Sequence, residues 1–135
     1  MALSADRTVD RRGSEPSRNE FAYPVAAGVK VYSGAMLAIN SSGALIIPPA
    51  SGGIAVLGLA DRALDNSASG SVSTTLVTPM KGTFALVVTA TAADIGKTVY
   101  ASDDGALTLT AGTLTAAGTL VGIEGGRTFV NIINS

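Results

Sequence analysis

The sequence predicts an all-β protein, a compact β-barrel or β-sandwich of many short strands that follows an extended N-terminal arm. Two observations predict this fold class. From Phe21 onwards, short apolar runs alternate with clusters of Gly, Asn, Asp, Ser and Pro, which is typical of sandwiches and barrels. The chain also has 16 glycines but only three Phe, three Tyr and no Trp. We therefore expect tight turns around a core of Val, Leu, Ile and Ala.

Charge divides the chain into an arm, residues 1–20, and a body, residues 21–135. The chain has nine basic and ten acidic residues, and eight of these lie in "ADRTVDRRGSEPSRNE" (5–20). This stretch shows no hydrophobic period, and Gly13 and Pro16 interrupt any helix. The length suits one domain with an appendage, so we expect an extended or irregular arm before a single β body.

Eleven apolar runs in the body predict strands. They lie near 21–25, 28–32, 35–39, 43–47, 54–60, 71–78, 82–90, 97–101, 105–110, 118–123 and 127–133. Turn residues connect them, as in the Asp103-Asp104-Gly105 tip of a predicted hairpin. One helical turn is predicted over 89–96, capped by Thr91 and ended by Gly96, and a second over 60–66.

The composition excludes several classes of function. Without cysteine the chain has no disulfide, no thiol catalysis and no Cys-ligated zinc, and without histidine it has no Ser-His-Asp triad. A net charge of −1 favours neither nucleic acid nor an acidic membrane surface. The uncharged stretch 105–123 alternates Leu with Thr, which indicates a strand and not a membrane helix. The charged N-terminus does not resemble a secretion signal.

The scarcity of charge in the body has two interpretations. Charged residues make up 14% of the chain, whereas about a quarter is usual. A surface of Ser, Thr, Asn and Gly would explain this. Alternatively, much of the body surface lies against copies of itself or against a partner, and the sequence favours this second interpretation.

No stretch of the sequence predicts an active site. "GKT" (96–98) lacks the earlier glycine and the following helix of a phosphate-binding loop, so it predicts a turn before a strand. Asp103 and Asp104 are contiguous, unlike the alternating ligands of a calcium loop, and a hairpin tip explains them. The aromatic residues all lie in predicted strands, where packing explains them better than glycan binding does.

Two stretches carry a family resemblance: "VLGLADRALDNSASGSVSTTLVTPMKGTFALV" (56–87) and "DIGKTVYASDDGALTLT" (94–110), the latter followed by "TLVGIEGGRTFVNI" (119–132). Together they resemble the head decoration, or cement, proteins of tailed bacteriophages. The resemblance covers about residues 25–133 and consists of turns and strands, with no catalytic groups. It does not include the charged arm.

The resemblance implies a structural protein on the outer surface of an expanded phage head, present in the host cytoplasm during assembly. It implies a trimer that bridges neighbouring major capsid proteins and stabilises the shell. It also implies no catalysis, no cofactor, no metal, no direct contact with nucleic acid and no membrane. The low charge of the body and the lack of reactive groups agree with these expectations. A protein that bridges several capsid subunits binds strongly because several weak contacts are made at once.

The arm is the expected attachment segment. Ordering twenty residues costs about 1–2 kcal/mol each in backbone entropy, and the arm has few apolar residues to offset that cost by folding on itself. We therefore expect an outside surface, the capsid or a sister subunit, to hold it, with a strand added to an exposed edge. The residues expected to make these contacts are Arg7, Asp10, Arg11, Arg12, Glu15, Arg18, Phe21 and Tyr23.

Other functions remain open at this stage. A phage tail or minor capsid component would form rings of six or large shells. A glycan- or receptor-binding β module would expose an aromatic cluster, and a small hydrolase would place two carboxylates in a cleft.

Overall fold

The computed structural model of the chain describes residues 2–12, 20–48 and 53–132, with Arg12 described for its backbone only. These residues form strands, turns and extended segments with one short 3₁₀ turn, which confirms the all-β fold class. In chain order the strands are β1 Arg11–Arg12, β2 Tyr23–Pro24, β3 Lys30–Val31, β4 Met36–Ile39, β5 Leu45–Ile46, β6 Ala55–Ala60, β7 Leu64–Asp65, β8 Leu76–Val77, β9 Pro79–Met80, β10 Gly82–Ala85, β11 Thr98–Ala101, β12 Leu107–Thr108, β13 Thr115–Glu124 and β14 Arg127–Ile132.

Two larger sheets and two ribbons make up the body. The six-stranded sheet has the order β1-β10-β14-β13-β11-β12, and the four-stranded sheet has the order β5-β4-β6-β9. The ribbons are the pairs β2-β8 and β3-β7. Every pairing between these strands is antiparallel.

The first hydrophobic core lies between the two larger sheets. Met36, Val56 and Leu59 come from the four-stranded sheet, and strands of the six-stranded sheet supply Leu120 and Val130, among others. All five side chains are buried. This is the packing of a β-sandwich, in which each sheet turns one apolar face inward.

A second core covers the opposite side of the four-stranded sheet. Leu37 and Leu57 point into it from β4 and β6, Val31 and Val77 join them from the ribbons, and Val25 joins from the position after β2. β4 and β6 are therefore buried on both faces. This explains why their sequences read as nearly continuous apolar runs and not as an alternation.

Each of the eleven predicted runs contains a strand, but several strands are shorter than predicted, most of all in 71–78, where only Leu76–Val77 is a strand. Other differences are these. The helical turn predicted over 60–66 is wrong, because Leu64 and Asp65 pair with β3 and Leu64 packs against the second core. Strand β9 was not predicted. The run 82–90 is paired as a strand only as far as Ala85, because its last residues extend past the beginning of β14.

The other predicted helical turn is confirmed as the 3₁₀ turn Ala92–Asp94. Thr91 precedes it as the N-cap, and the Thr91 backbone N–H donates to the Asp94 carboxylate at 2.9 Å. Gly96 follows with a φ of +97°, a left-handed conformation that favours glycine.

Candidate functional site

The N-terminal arm lies on the surface of its own body. From Asp6 to Arg11 the residues alternate: Arg7, Val9 and Arg11 are partly buried, whereas Asp6, Thr8 and Asp10 are exposed. Such a period of two is expected of an extended segment with one face against a surface. The buried face includes Val9, which packs against the first core.

Backbone pairing holds the C-terminal part of this segment. β1 is the edge strand of the six-stranded sheet, with Arg11 opposite Phe84 and Arg12 opposite Thr83. The Ala85 N–H also donates to the Asp10 carbonyl at 3.0 Å. The arm therefore adds a strand to an exposed edge, and that edge belongs to its own chain.

A buried carboxylate anchors the beginning of the arm. Asp104, at the tip of the β11–β12 hairpin, is 4% exposed, and its Oδ1 accepts a hydrogen bond from the Leu3 backbone N–H at 2.9 Å. Burial raises the pKa of the Asp104 carboxyl, although the bond from Leu3 opposes the shift. Its neighbour Asp103 instead accepts bonds from the N–H groups of Gly105 and Ala106 and closes the turn.

Arg7 lies in a narrow site on the body between Gly34 and Gly105, here called the Arg7 seat. Its Nε donates to the Gly34 carbonyl at 2.9 Å and its Nη1 to the Gly105 carbonyl at 3.3 Å. A methyl group on Gly34 would lie 2.6 Å from the Arg7 carbonyl oxygen, so only glycine fits there. Burial lowers the pKa of the Arg7 guanidinium, and the nearby carboxylates of Asp104 and Asp103 oppose that shift. The group stays charged, because an arginine in a protein does not lose its proton.

Arg11 and Glu20 close the other end of the arm. Arg11 Nη2 donates to Glu20 Oε2 at 2.9 Å, and the same oxygen accepts the Lys81 backbone N–H at 2.5 Å. The Arg11 guanidinium carbon lies 5.4 Å from the centroid of the Phe84 ring, a cation–π distance. Glu20 thus connects β1 to the residue that precedes β10.

Asp10 pairs across the surface with Arg127 at the beginning of β14. Both side chains are largely exposed, so the free energy of this pair is small, about 0–1 kcal/mol. The charge of Asp10 remains accessible to solvent.

The expectation that the arm lacks a sufficient partner in its own chain is wrong for residues 2–12. That expectation counted apolar side chains, whereas backbone pairing and hydrogen bonds to buried groups provide most of the contacts. Arg7 and Arg11 face the body as a result. Arg12 has a described backbone only, and Glu15 and Arg18 lie outside the described residues.

The two expected aromatic contacts have different environments. Phe21 is 60% exposed and directly follows Glu20, so its ring is available on the side of the molecule that carries the end of the arm. Tyr23 is half-buried, pairs with Val77 and packs against the second core, so it serves mainly the body.

Sequence reasoning missed the body residues that receive the arm, chiefly Gly34, Asp104 and Arg127. For Asp104 the sequence did contain a signal, because one aspartate is enough for a hairpin tip and the second aspartate had no explanation. Gly34 and Arg127 gave none, because their contacts depend on the tertiary position of the arm.

Within the described parts of the chain, no cluster of three or more Asp and Glu residues is arranged to hold a metal ion. Among the same residues, no helix is long and apolar enough to cross a membrane. No protein-family model, curated protein or solved structure matches the chain.

Proposed function

We propose that this protein is a capsid decoration protein that binds the outer surface of an expanded phage head as a trimer and bridges neighbouring major capsid proteins. The arm and Phe21 are the attachment surface. We place the contacts on the outward face of the arm, at Asp6, Thr8 and Asp10. Glu15 and Arg18, also expected to make contacts, lie outside the described residues.

The observation that carries this proposal is the seating of the arm on its own body. A segment that is ordered before it meets a partner loses little conformational entropy on binding, so more of its contact free energy is available for attachment. Ordering six residues on contact would otherwise cost about 6–12 kcal/mol.

The body surface supports the proposal further. Several large apolar side chains remain exposed, among them Phe21, Val87 and Val121. They lie on a body with few charges, and such surfaces are suited to packing on copies or on a lattice. Repeated weak contacts of this kind give strong attachment when several are made at once.

The described residues give less support to a glycan- or receptor-binding module. Phe21 is exposed, but the other aromatic side chains, at Tyr23, Tyr32, Phe84, Tyr100 and Phe129, are buried or partly buried. A stacking platform needs several exposed rings together. Neither Asp103 nor Asp104 is placed for hydrolysis, since the first closes a turn and the second holds the arm.

The direct test is to mix the purified chain with empty expanded heads of the phage that encodes it and to image the particles. We expect added density at three-fold positions. Heads that stay bare at saturating protein would refute the proposed function.

A matched pair of variants tests the attachment surface. Phe21→Ala removes an exposed ring and should weaken binding to the heads about tenfold, a typical loss for one aromatic anchor. Ile54→Ala is the control, because Ile54 is 67% exposed but lies before β6 in the other sheet. Equal binding of the two variants to the heads would show that Phe21 is not part of the attachment surface.

A further inference from the structure

Strand β10 continues beyond Ala85 as an extended segment, residues 86–90, whose backbone is unpaired after Leu86. Leu86 and Val88 are 3% and 6% exposed, whereas Val87 is 84% exposed and Thr89 is also exposed. This alternation is that of a strand with one face on the core. On one flank, a groove of about 540 Å³ separates the segment from the turn between β13 and β14.

Beyond Leu86, the backbone of this segment has no partner among the described residues. The Ala85 N–H bonds to Asp10 on the β1 side, and the Leu86 N–H bonds to Thr128 on the β14 side. By the same alternation, the N–H and C=O groups of Val87 and Thr89 face the β1 side, where the arm has already turned away. Within the described chain, no hydrogen bond forms at the backbone of 87–90.

This edge also lacks the usual protection. Natural proteins cover free edges or place charges and prolines on them, because an open edge is a template for another strand. No charged residue and no proline lies between Ala85 and Asp94. An edge without this protection is suited to pairing with a further strand.

The opposite edge of the same sheet, β12, is the matching surface. The Ser102 N–H donates to the Ala106 carbonyl, so Thr108 faces β11 while the backbone groups of Leu107 and Leu109 face away from the sheet. Among the described strands none pairs with that side. Residues 105–123 carry no charge either.

We propose that copies of this chain join edge to edge, with Val87 and Thr89 of one copy hydrogen-bonded to Leu107 and Leu109 of the next. Each edge presents the backbone groups of two residues spaced two apart, so the two edges match in length. Neither 86–90 nor 105–110 carries a charged residue, and the charges beside them, Arg7 at the Gly105 carbonyl and Arg127 next to the groove, already have partners. The contact is heterologous, and it closes into a ring when the rotation between copies allows.

The number of copies in the ring rests on the trimer of the proposed function, but the contact itself does not depend on the shell. Pairing of 86–90 with its own equivalent is less favourable. In an antiparallel self-pair, the 3₁₀ turn after one segment would meet the arm beside the other.

Sedimentation of the full chain across a concentration series tests the contact. We expect trimers for the unaltered chain. Val87→Lys puts a charge on the edge, and Thr89→Pro removes an N–H that the fold does not use, so each should weaken association at least about tenfold. Ile54→Lys, on an exposed residue just before β6 of the four-stranded sheet, should leave the association unchanged. Circular dichroism checks that each variant is folded.

Crosslinking identifies the paired edges, because the chain has no cysteine of its own. A mixture of the single variants Thr89→Cys and Thr110→Cys should give mixed crosslinks with a short thiol reagent. Thr89→Cys alone should give few. Self-crosslinking of Thr89→Cys in preference to the mixed product overturns the proposal in favour of a two-fold dimer.

Two further results overturn it: a monomer at every concentration, and a trimer that neither Val87→Lys nor Thr89→Pro weakens. Failure to decorate heads, with edge-dependent trimers still present, refutes the proposed function and leaves this contact standing.

Discussion

At the scale of single residues, two adjacent aspartates have opposite environments. Asp103 lies in a turn that supplies it with two backbone N–H groups, and Asp104 lies under the arm and is buried. A buried carboxyl prefers to be neutral, whereas a carboxylate that accepts several hydrogen bonds prefers to be charged. Asp103 therefore stabilises its own turn, whereas Asp104 binds a residue that is distant in sequence.

Asp104→Asn should change how stability depends on pH. Because the pKa of Asp104 is raised in the folded protein, its contribution to stability is complete below the unfolded pKa, near 3.8, and is lost as pH rises through the folded value. The asparagine amide does not titrate and still offers an oxygen to Leu3. The variant should therefore gain stability relative to the unaltered chain between pH 3 and pH 7, as measured by urea unfolding.

Asp94→Asn is the control for that prediction. Hydrogen bonds from the Lys97 side chain and the Thr91 backbone lower the pKa of Asp94, so its stabilising effect is present above the unfolded pKa and is lost in acid. This variant should lose stability relative to the unaltered chain over the same interval. The same trend in both variants would contradict the assignment of Asp104.

At the scale of elements, β13 joins most of the six-stranded sheet. It pairs with β11 on one side and β14 on the other, and both ladders contain a bulge. Bulges bend a strand and increase its twist, which lets a ten-residue strand wrap the first core. Its two glycines, Gly118 and Gly122, differ in how closely other atoms approach them.

Gly118→Ala should destabilise the protein. A methyl group there would lie 2.1 Å from the Asn131 carbonyl oxygen, which is backbone of the neighbouring strand and cannot easily move. We expect a loss of about 1–3 kcal/mol in the free energy of unfolding, measured with denaturant. Gly122→Ala, in the same strand but with nothing within 4 Å, should change it by about 0.5 kcal/mol or less. Equal losses would show that strand propensity, and not the close approach, decides.

The strands were predictable because their signals are local. Alternation such as that of 107–110 and turn residues such as Asp103 and Gly105 act within a few residues. The arm was predictable as extended, but its partners were not. Leu3 is bonded to Asp104, 101 residues further along, and no local pattern records such a contact. The unpaired end of β10 was hidden for a similar reason, since 82–90 is uncharged and mostly apolar and only the start of β14 decides where pairing stops.

At the scale of the whole molecule, contacts around Gly34 hold the arm and the body together as one folded unit. The Arg7 N–H donates to the Ser33 carbonyl and the Ser33 N–H to the Asp6 carboxylate, so the arm pairs with the loop before β4. Release of the arm therefore requires these contacts and the Arg7 seat to open together.

Gly34→Ala should release the arm. Its methyl group would collide with Arg7, and Arg7 would have to leave its seat. Gly43→Ala is the control, because Gly43 has nearly the same φ, +81° against +82°, but nothing within 4 Å of the added carbon. Backbone strain is thus matched between the variants. We expect trypsin to cleave after Arg7 about tenfold faster in Gly34→Ala only. Equal rates would mean that the arm is held elsewhere.

The seating of the arm has a consequence for the order of events during synthesis. The arm leaves the ribosome before the body, yet Asp10 pairs with Arg127, 117 residues later. At about 5–20 residues per second, the arm waits on the order of 10 s for its partner to be made. Until β14 is made, β10 has no ladder to join, and the charges of the arm keep that segment in water. The arm then pairs with the sheet last, although it was made before the body.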